Sequence, residues 1–536
     1  MHEALIALNA GAALAGVPSV AYLLALALLV PFGAHRILLL WRLLWLPPRP
    51  VTREWVGPLP RVTVQLPVYN EANVVERLID AACRLDYPKA LLEIQLLDDS
   101  TDETGMIASR RVDLWRRRGC AIEHLRRPDR SGYKAGALAW GTSRSSGEFL
   151  LLLDADFLPR PGLVRQLLGP FADPRVGMVQ AAWGYLNAGE SWLTRAQALL
   201  LDAHFRIEHE ARFRSGLFFN FNGTAGMWRR RCVESAGGWR AATLTEDLDL
   251  SYRAQLAGWR FVLLPDVEVP GELPPGMWEV DLQQDRWTRG GIQTARLLLP
   301  SVWRSSWRVA VKLEATAHLL GHLAHPATLF LALTLGAASL AGAAPGWVPA
   351  WWHAVGLAAA TLPFLGFATA AALRRGVRWS RVPLRVLEAL VMGIGLGAPL
   401  TWAAFRGTAR KDTPFRRTPK RGLAVVRTYA IGLRRGPALF RALLGALLGA
   451  SALAFLARGA VAPGVLSLLF AMGHLATLRE SLRRPAVPGQ EQKEGKVDRQ
   501  AGEERLWPDA RRLVGIQAPV GEKGGSAEEN PGAAAA

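Results

Sequence analysis

The stretch "GEFLLLLDADFLPRPG", Gly147 to Gly162, decides the fold class of this sequence. Its apolar run, 149–153, is short and is followed by proline and glycine, a pattern typical of a fully buried strand. Asp154 and Asp156 follow the run directly. Because successive side chains alternate along an extended backbone, both carboxylates lie on the same side. We therefore predict a buried strand that ends in a pair of carboxylates.

Two segments upstream follow the same plan. "VTVQLPVY" has a strand pattern that ends at Asn70 and Glu71, and "EIQLLDDSTDET" is a strand that ends in Asp98 and Asp99. "ANVVERLIDAACRL", which lies between them, has apolar residues at helical spacing. Alternating strands and helices predict an α/β fold with a mostly parallel sheet.

The acidic strand ends indicate a binding site. Ligands of such sheets gather beyond the carboxyl ends of the strands. Aspartate is also a good turn and helix-capping residue, which is the alternative explanation for either pair alone. Two pairs at two buried strand ends favour a site.

Long apolar segments flank this region, and half of the 536 residues are hydrophobic. A membrane span needs roughly 20 mostly apolar residues. The first segment resembles a signal peptide, but arginines and tryptophans follow it rather than a small-residue cleavage site, so we predict an anchor. The candidate spans are 18–34 with its continuation, 322–344, 347–373, 438–457 and 462–478.

A further apolar segment, Val382 to Phe405, has arginines crowded at both ends. A crossing helix cannot keep both flanks on the cytosolic side, so we predict an interfacial or re-entrant helix. Five spans then remain. The N-terminus lies outside, and the region between the first two spans lies in the cytosol.

The formal charge of +19 does not indicate nucleic-acid binding, because much of the excess borders apolar segments. Such clusters follow the positive-inside rule and attract anionic lipid. Cys83, Cys120 and Cys232 are scattered and odd in number. They argue against a disulfide framework and suit a reducing compartment.

Five motifs follow in order through residues 60–300: "PVYNE", "LLDDSTD", "DAD", "TED" and "QQDRW". Their order and spacing resemble the processive family 2 glycosyltransferases, the cellulose synthase and hyaluronan synthase group. "FNGTAGMWRRRCVESAGGW" with "LQQDRWTRG" is most similar to the cellulose-synthase-like mannan and glucomannan synthases and their bacterial relatives.

This resemblance implies a nucleotide-sugar-binding glycosyltransferase A-type domain, inserted between transmembrane helices. We expect an anchor at 1–50, a cytosolic catalytic domain at 51–300 that ends in an interfacial helix, membrane helices at 301–482 and a disordered tail at 483–536. The expected location is the inner (plasma) membrane.

The resemblance also assigns residues to roles. A divalent cation, Mg²⁺ or Mn²⁺, would be held by Asp156 and Asp154, since carboxylates bind hard cations beside phosphates. Lys134 is alternatively a solvated surface lysine. The donor and nucleotide residues are Pro67, Tyr69, Glu71, Asp98, Asp99, Lys134, Asp154 and Arg286. The acceptor residues are Gln283, Trp287, Asn222 and Gly223.

Transfer requires deprotonation of an acceptor hydroxyl, for which one positioned carboxylate suffices. By the resemblance this base is Asp247 in "TED" rather than Glu246. The same three residues also suit the first turn of a helix, which is the structural alternative. One base without a second carboxylate nucleophile implies inversion, so an α-linked nucleotide sugar gives a β-linkage.

Gln283, Arg286 and Trp287 share one helix face. Arginine donates hydrogen bonds to phosphate, and tryptophan offers a flat surface to a sugar ring. An interfacial anchor would explain the Arg and Trp but not Gln283. Further along, "KDTPFRRTPKRG" (411–422) resembles the gating loop of cellulose synthases. Phe415, Thr418 and Lys420 match, whereas Arg417 replaces the family's valine, and a basic juxtamembrane loop is the alternative.

The sequence thus predicts an inverting, metal-dependent membrane enzyme that adds hexose to a β-linked polysaccharide and couples this to translocation. UDP-glucose and GDP-mannose both fit as donors. One alternative is a glycolipid-forming transferase of the ceramide glucosyltransferase kind. Another is a non-catalytic polysaccharide transporter or regulator. The retained carboxylates argue against the latter.

Overall fold

The computed structural model describes residues 2–341, 350–409 and 435–483. The predicted gating loop with Phe415, Thr418 and Lys420 lies outside the described residues. So does the predicted tail beyond Arg483.

Within the described residues, seven strands form one mixed sheet with the order β3-β2-β1-β4-β6-β5-β7. The strands are β1 (Val62–Val68), β2 (Leu92–Asp98), β3 (Ile122–Leu125), β4 (Phe149–Leu152), β5 (Val176–Tyr185), β6 (Gly226–Arg229) and β7 (Arg260–Gly271).

The first half of the sheet is parallel and confirms the predicted arrangement. Strand β1 pairs in parallel with β2 on one side and with β4 on the other. All four residues of β4 are buried, as its apolar run predicts. Strand β6, which the sequence did not reveal, runs antiparallel between β4 and β5. The carboxyl ends of β1, β2 and β4 therefore meet at one edge of the sheet.

Helices pack against this sheet. In the domain they are α2 (Val75–Cys83), α3 (Thr104–Arg117), α4 (Tyr133–Arg144), α5 (Leu163–Leu168), α6 (Trp192–Ala203), α7 (Glu210–Ser215), α8 (Arg230–Ser235), α9 (Glu246–Leu256), α10 (Met277–Arg304) and α11 (Val309–Leu319). A π-helical turn, His204–His209, joins α6 to α7.

The remaining helices are long and apolar: α1 (His2–Trp45), α12 (Ala324–Leu340), α13 (Ala350–Arg374), α14 (Val382–Gly407), α15 (Arg435–Ala457) and α16 (Val461–Leu482). By length and composition, the described part of the chain contains six candidate membrane spans, where the arginine distribution predicts five. The sixth lies in α14, the helix predicted to be interfacial.

Helix α14 contacts the α/β domain at both of its ends. Near its start, Glu388 accepts hydrogen bonds from Arg195 of α6. At its end, Arg406 forms an ion pair with Asp285 of α10. Between them, α14 packs against α6 and α10 in a common apolar cluster. Its interfacial position stays a prediction.

Candidate active site

A cavity of about 170 Å³ lies at the sheet edge where β1, β2 and β4 end. It brings together nearly all the described residues that the motifs predicted to be functional. Those that line it are Pro67, Tyr69, Glu71, Asp99, Lys134, Asp154, Asp156, Asn222, Gly223, Asp247, Gln283, Arg286 and Trp287.

Asp98 is the predicted site residue that does not line the cavity. Its side chain is fully buried, accepts a hydrogen bond from the Ser100 backbone N–H at 2.8 Å and lies 2.8 Å from His124 Nε2. Burial acts to raise the pKa of Asp98, but the hydrogen bonds from His124 and Ser100 prevail and lower it. Asp98 therefore braces the turn after β2.

Asp99 and Tyr69 face the cavity and are held by two arginines that the motifs did not reveal. Arg127 donates to both carboxylate oxygens of Asp99, at 2.8 and 2.6 Å. The guanidinium of Arg130 lies 3.3 Å from the centroid of the Tyr69 ring. Both arginines belong to the basic loop that follows β3, where nothing in the local sequence distinguishes them from surface residues.

Lys134, on the first turn of α4, joins the acidic groups of the site. Its Nζ donates to Asp154 Oδ1 at 2.6 Å and to the Gly223 carbonyl at 2.9 Å, and lies 3.9 Å from Glu246. Burial acts to lower the pKa of Lys134, but the surrounding carboxylates outweigh it and raise the pKa. The lysine is thus a charged group inside the cavity rather than a solvated surface residue.

The carboxylates of the DAD motif fit a divalent cation of the kind held jointly by protein and phosphate. Asp154 and Asp156 both line the cavity. Among the described residues, no three His, Cys, Asp or Glu side chains converge to hold a metal ion. Mg²⁺ commonly binds one or two carboxylates together with substrate phosphates, so this donor set suits it when a diphosphate is present.

Asp247 lies in the first turn of α9 and lines the cavity. Its Oδ1 accepts a hydrogen bond from the Leu248 backbone N–H at 2.8 Å. Burial raises its pKa, the neighbouring Glu246 raises it further, and Lys134 and Arg286 oppose them, which leaves the value at about 7. A carboxylate of this pKa is well matched to accept a proton near neutral pH.

Gly223 keeps the approach to Asp247 open. Its φ of +81° favours glycine, and a β-carbon at this position would lie only 2.9 Å from Asp247 Oδ2. Any larger residue would therefore crowd the carboxylate.

Helix α10 carries Gln283, Arg286 and Trp287 along the cavity wall. The Trp287 ring lies 6.4 Å from the ring of Trp183, centroid to centroid. Two ion pairs fix the same helix from behind. Asp281 binds the fully buried Arg441 of α15 through both carboxylate oxygens, at 2.9 and 2.6 Å, and Asp285 pairs with Arg406.

A second, larger cavity of about 370 Å³ shares walls with the first. Trp183, Asn222, Asp247, Gln283 and Trp287 line both cavities. The second extends between the π-helical turn and helices α1, α10, α11 and α14. The candidate base therefore stands at the junction of the two spaces.

Comparison with known proteins shows which families and relatives the chain resembles. Residues 63–234 match the family described as glycosyl transferase family 2, and residues 149–369 match glycosyl transferase family group 2. The chain is 40% identical over 269 residues to probable glucomannan 4-beta-mannosyltransferase 7 of Oryza sativa subsp. japonica, which covers 49% of this chain and 46% of that protein. It is 41% identical over 252 residues to glucomannan 4-beta-mannosyltransferase 2 of Arabidopsis thaliana, covering 46% of this chain and 47% of the relative.

The chain thus spans about half the length of the curated relatives it matches. Among solved structures, it resembles the mannosyltransferase PcManGT from Pyrobaculum calidifontis in complex with GDP-Man and Mn²⁺. The TM-score is 0.51 and the identity 22%, over 75% of this chain and 100% of that one. This likeness concerns the fold.

Proposed function

Because the chain carries a family 2 glycosyltransferase domain of the cellulose-synthase-like kind, we propose that it elongates a β-linked polysaccharide by inverting transfer of mannose from GDP-mannose. The observation that carries this proposal is the position of Asp247. It is a partly buried carboxylate with a pKa of about 7 that lines both the first and the second cavity. The choice of mannose over glucose is supported by the names of the relatives, which are called 4-beta-mannosyltransferases.

The donor occupies the first cavity in this proposal. Asp99 and Tyr69, held by Arg127 and Arg130, receive the nucleoside, and Glu71 and Pro67 complete that wall. Lys134 and Arg286 face the diphosphate, to which both cationic side chains donate hydrogen bonds. Asp98 acts indirectly, because it supports the turn that presents Asp99.

A divalent cation would be held by Asp156 and Asp154 together with the diphosphate. When bound, it would neutralise the negative charge that develops on the leaving group. The ammonium group of Lys134 lies beside Asp154. It balances the charge of the neighbouring carboxylates when the donor is absent, and it would help to neutralise the leaving group when the donor is bound.

The transfer step then follows from the two cavities. An acceptor hydroxyl approaches from the second cavity, and its proton passes to Asp247. The hydroxyl oxygen forms a bond to the anomeric carbon as the bond from that carbon to the diphosphate oxygen breaks. A single displacement inverts the configuration, so an α-linked donor gives a β-linked product. Trp287 offers the acceptor ring an apolar face, and Gln283 offers it a hydrogen bond.

We also propose that the apolar helices place the enzyme in the inner (plasma) membrane with its catalytic domain in the cytosol, and that elongation is coupled to translocation of the product. The proximity of the second cavity to α1 and α14 supports this arrangement.

The experiment that tests the function incubates membranes containing the protein with radiolabelled GDP-mannose, UDP-glucose and other nucleotide sugars in parallel. We expect incorporation from GDP-mannose into a high-molecular-weight product that an endo-β-1,4-mannanase degrades. Asp247→Asn should lower the rate by about 10²–10⁴-fold, since that is the usual contribution of a general base. It should leave GDP affinity nearly unchanged. Wild-type turnover by this variant would remove Asp247 from the mechanism, and a lipid-soluble labelled product would indicate glycolipid synthesis instead.

A further inference from the structure

Two cysteines meet in the α/β domain, away from the candidate active site. Cys83 is the last residue of α2, and Cys120 lies between the end of α3 and the start of β3. Next to Cys120, the Ala121 carbonyl accepts a hydrogen bond from the Ile94 N–H, near the start of β2. The pair therefore lies at the amino ends of the strands, whereas the first cavity lies at their carboxyl ends. Neither cysteine lines either cavity, so the transfer step does not explain them.

Contacts between α2 and α3 bring the two sulfur atoms together. Trp115 Nε1 donates to Asp80 Oδ1 at 2.8 Å, and Arg111 Nε donates to the same oxygen at 2.6 Å, which fixes the end of α3 against α2. The backbone N–H of Cys120 donates to the Trp115 carbonyl at 3.0 Å, so the chain folds back over this contact. Cys83 lies three residues after Asp80 and thus on the same helix face. Its thiol donates a hydrogen bond to the Cys120 sulfur.

The surroundings favour a thiolate at Cys120. The hydrogen bond from Cys83 lowers the pKa of the Cys120 thiol, burial opposes this effect, and the positive charge of Lys89 lowers the pKa further. Lys89 Nζ donates to the Arg118 carbonyl at 3.3 Å, which holds the ammonium beside this turn. Thiolates next to cationic side chains are the reactive form of cysteine. Because Cys120 is half-buried rather than enclosed, a small oxidant can reach it.

Both cysteines are free thiols in this structure. In a reducing compartment disulfides are rare, and those that form are mostly transient, catalytic or redox-sensing. We propose that Cys83 and Cys120 form a reversible dithiol–disulfide pair, a redox modification site that reinforces the α/β domain when a hydroperoxide is present. The proposal goes beyond the transfer reaction and does not depend on which sugar is transferred.

The oxidation is balanced with hydrogen peroxide as the oxidant. The Cys120 thiolate attacks one peroxide oxygen, the O–O bond breaks, and the departing hydroxide takes up a proton to form water, which leaves Cys120 as a sulfenic acid. The Cys83 sulfur then attacks the Cys120 sulfur, the S–O bond breaks, and the hydroxyl group leaves with the Cys83 proton as a second water. Two thiols are oxidised to one disulfide, and one peroxide is reduced to two waters. A thiol reductant reverses the step by exchange.

The cross-link would act on the stability of the domain. It closes a loop that contains β2 and α3, including the turn with Asp98 and Asp99. A disulfide stabilises a fold mainly by restricting the unfolded chain, and more so for longer loops. We therefore expect the melting temperature of the oxidised chain to exceed that of the reduced chain by on the order of 5–10 °C.

The test uses the full chain in detergent micelles, first reduced and then treated with one molar equivalent of hydrogen peroxide. Free thiols are counted with a maleimide after denaturation, and cross-linked peptides are identified by mass spectrometry. We expect the thiol count to fall from three to one, with Cys232 as the thiol that remains. One linkage, between Cys83 and Cys120, should be found, and dithiothreitol should restore all three thiols. Melting temperatures are measured on the reduced and oxidised samples.

The matched control is Cys232→Ala, since Cys232 is buried and away from the pair. This variant should form the same linkage and gain the same thermal stability. Cys120→Ser should keep the Cys83 thiol through the treatment and show no rise in melting temperature.

Three results in the wild-type chain would each overturn the proposal: an unchanged thiol count, a sulfinic acid at Cys120 beside an intact Cys83 thiol, or a disulfide between two copies of the chain. A linkage between Cys83 and Cys120 that leaves the melting temperature unchanged would overturn its reinforcing role. Because no readout requires sugar transfer, these outcomes are independent of the proposed function.

Discussion

The role of a single residue at this site depends on whether its side chain points into the cavity or into the protein core. Asp98 and Asp99 are adjacent, so the end of an extended strand turns them to opposite sides. Asp99 faces the cavity, whereas Asp98 is buried against His124. Asp154 and Asp156 both line the cavity, as predicted, but they follow the end of β4 in a segment with a turn at 155–156, and Ala155 between them lines the cavity as well. The alternation rule therefore accounts for the first pair, whereas a turn places the second.

The pH dependence of transfer should report the protonation of Asp247. Its pKa is raised to about 7, chiefly by burial and next by Glu246. Below that pH the carboxyl is protonated and cannot accept a proton, so kcat/KM should fall tenfold per pH unit on the acidic side. Glu246→Gln removes one cause of the raised pKa of Asp247, so the acidic limb of the pH profile of kcat/KM should move to lower pH. A limb that stays in place or moves upward in that variant would argue against Asp247 as the titrating base.

The cation should be tested at Asp156. Replacing it with alanine removes a carboxylate that lines the cavity beside Asp154. We expect GDP binding to the variant to lose its dependence on Mn²⁺ and Mg²⁺, as measured by calorimetric titration with and without each ion. Asp266→Ala provides the control, because that aspartate is exposed on β7 and lines neither cavity. If the donor affinity of Asp156→Ala still rises with metal as in the wild type, Asp156 is not a ligand.

At the scale of elements, α10 is the helix that carries both the proposed donor residue Arg286 and the proposed acceptor residues Gln283 and Trp287. It is fixed from behind by the Asp281–Arg441 and Asp285–Arg406 ion pairs. The Asp281–Arg441 pair is buried, and breaking a buried pair by removing one partner typically costs about 3–5 kcal/mol, because the other charge is left uncompensated. This support from behind explains how three side chains on one helix face are held along the cavity wall.

Two substitutions on α10 should separate its roles. Trp287→Ala removes the acceptor surface, whose stacking contributes on the order of 1 kcal/mol, and frees the acceptor to shift, where a displacement of about 1 Å can cost ~10²-fold in rate. We expect polymer yield to collapse while GDP affinity changes little. Arg286→Ala should instead weaken GDP binding directly.

The control is Trp303→Ala, since Trp303 is half exposed near the other end of the same helix and lines neither cavity. It should leave both quantities near wild type. If Trp287→Ala weakens GDP binding as much as Arg286→Ala does, then Trp287 anchors the fold and the acceptor role is wrong.

The elements themselves were predictable to different degrees. Strands β1, β2 and β4 and helix α2 followed from local periodicity, because each is an apolar run or stripe with clear ends. Strand β6 was not predicted, since "GMWR" is short and its pairing between β4 and β5 depends on distant residues. The π-helical turn differs from an α-helix by a single added residue, which no side-chain pattern shows. The side of the second cavity that this turn lines was therefore missed with it.

At the scale of the whole molecule, the position of α14 determines how the chain crosses the membrane. A helix of 26 residues such as α14 is roughly 39 Å long, enough to span. Yet its Glu388 and Arg406 pair with α6 and α10, two helices of the same catalytic domain. A helix that contacts one domain at both ends runs along that domain, which supports the interfacial position that the flanking arginines predict.

The two topologies place the end of α15 on opposite sides of the membrane. If α14 is interfacial, the turn between α15 and α16 lies outside the cell; if α14 crosses, that turn lies in the cytosol. The natural cysteines are poor reporters, because Cys232 is buried and the other two are half-buried. Single cysteines at exposed positions are therefore needed, in a chain whose Cys83 and Cys120 are replaced by alanine.

Ala457→Cys, at the exposed end of α15, and Ser143→Cys, at the exposed end of α4 in the catalytic domain, form the matched pair. We expect an impermeant maleimide to label Ala457→Cys in intact cells and Ser143→Cys only after permeabilisation, with polymer synthesis retained by both. Protection of both positions in intact cells would mean that α14 crosses the membrane. The segment 411–422 would then start outside the cell, away from the nucleotide sugar, and its proposed role as a gating loop would fail with the topology. Labelling of Ser143→Cys in intact cells would place the catalytic domain itself outside, where nucleotide sugars are absent, and would contradict the proposed function.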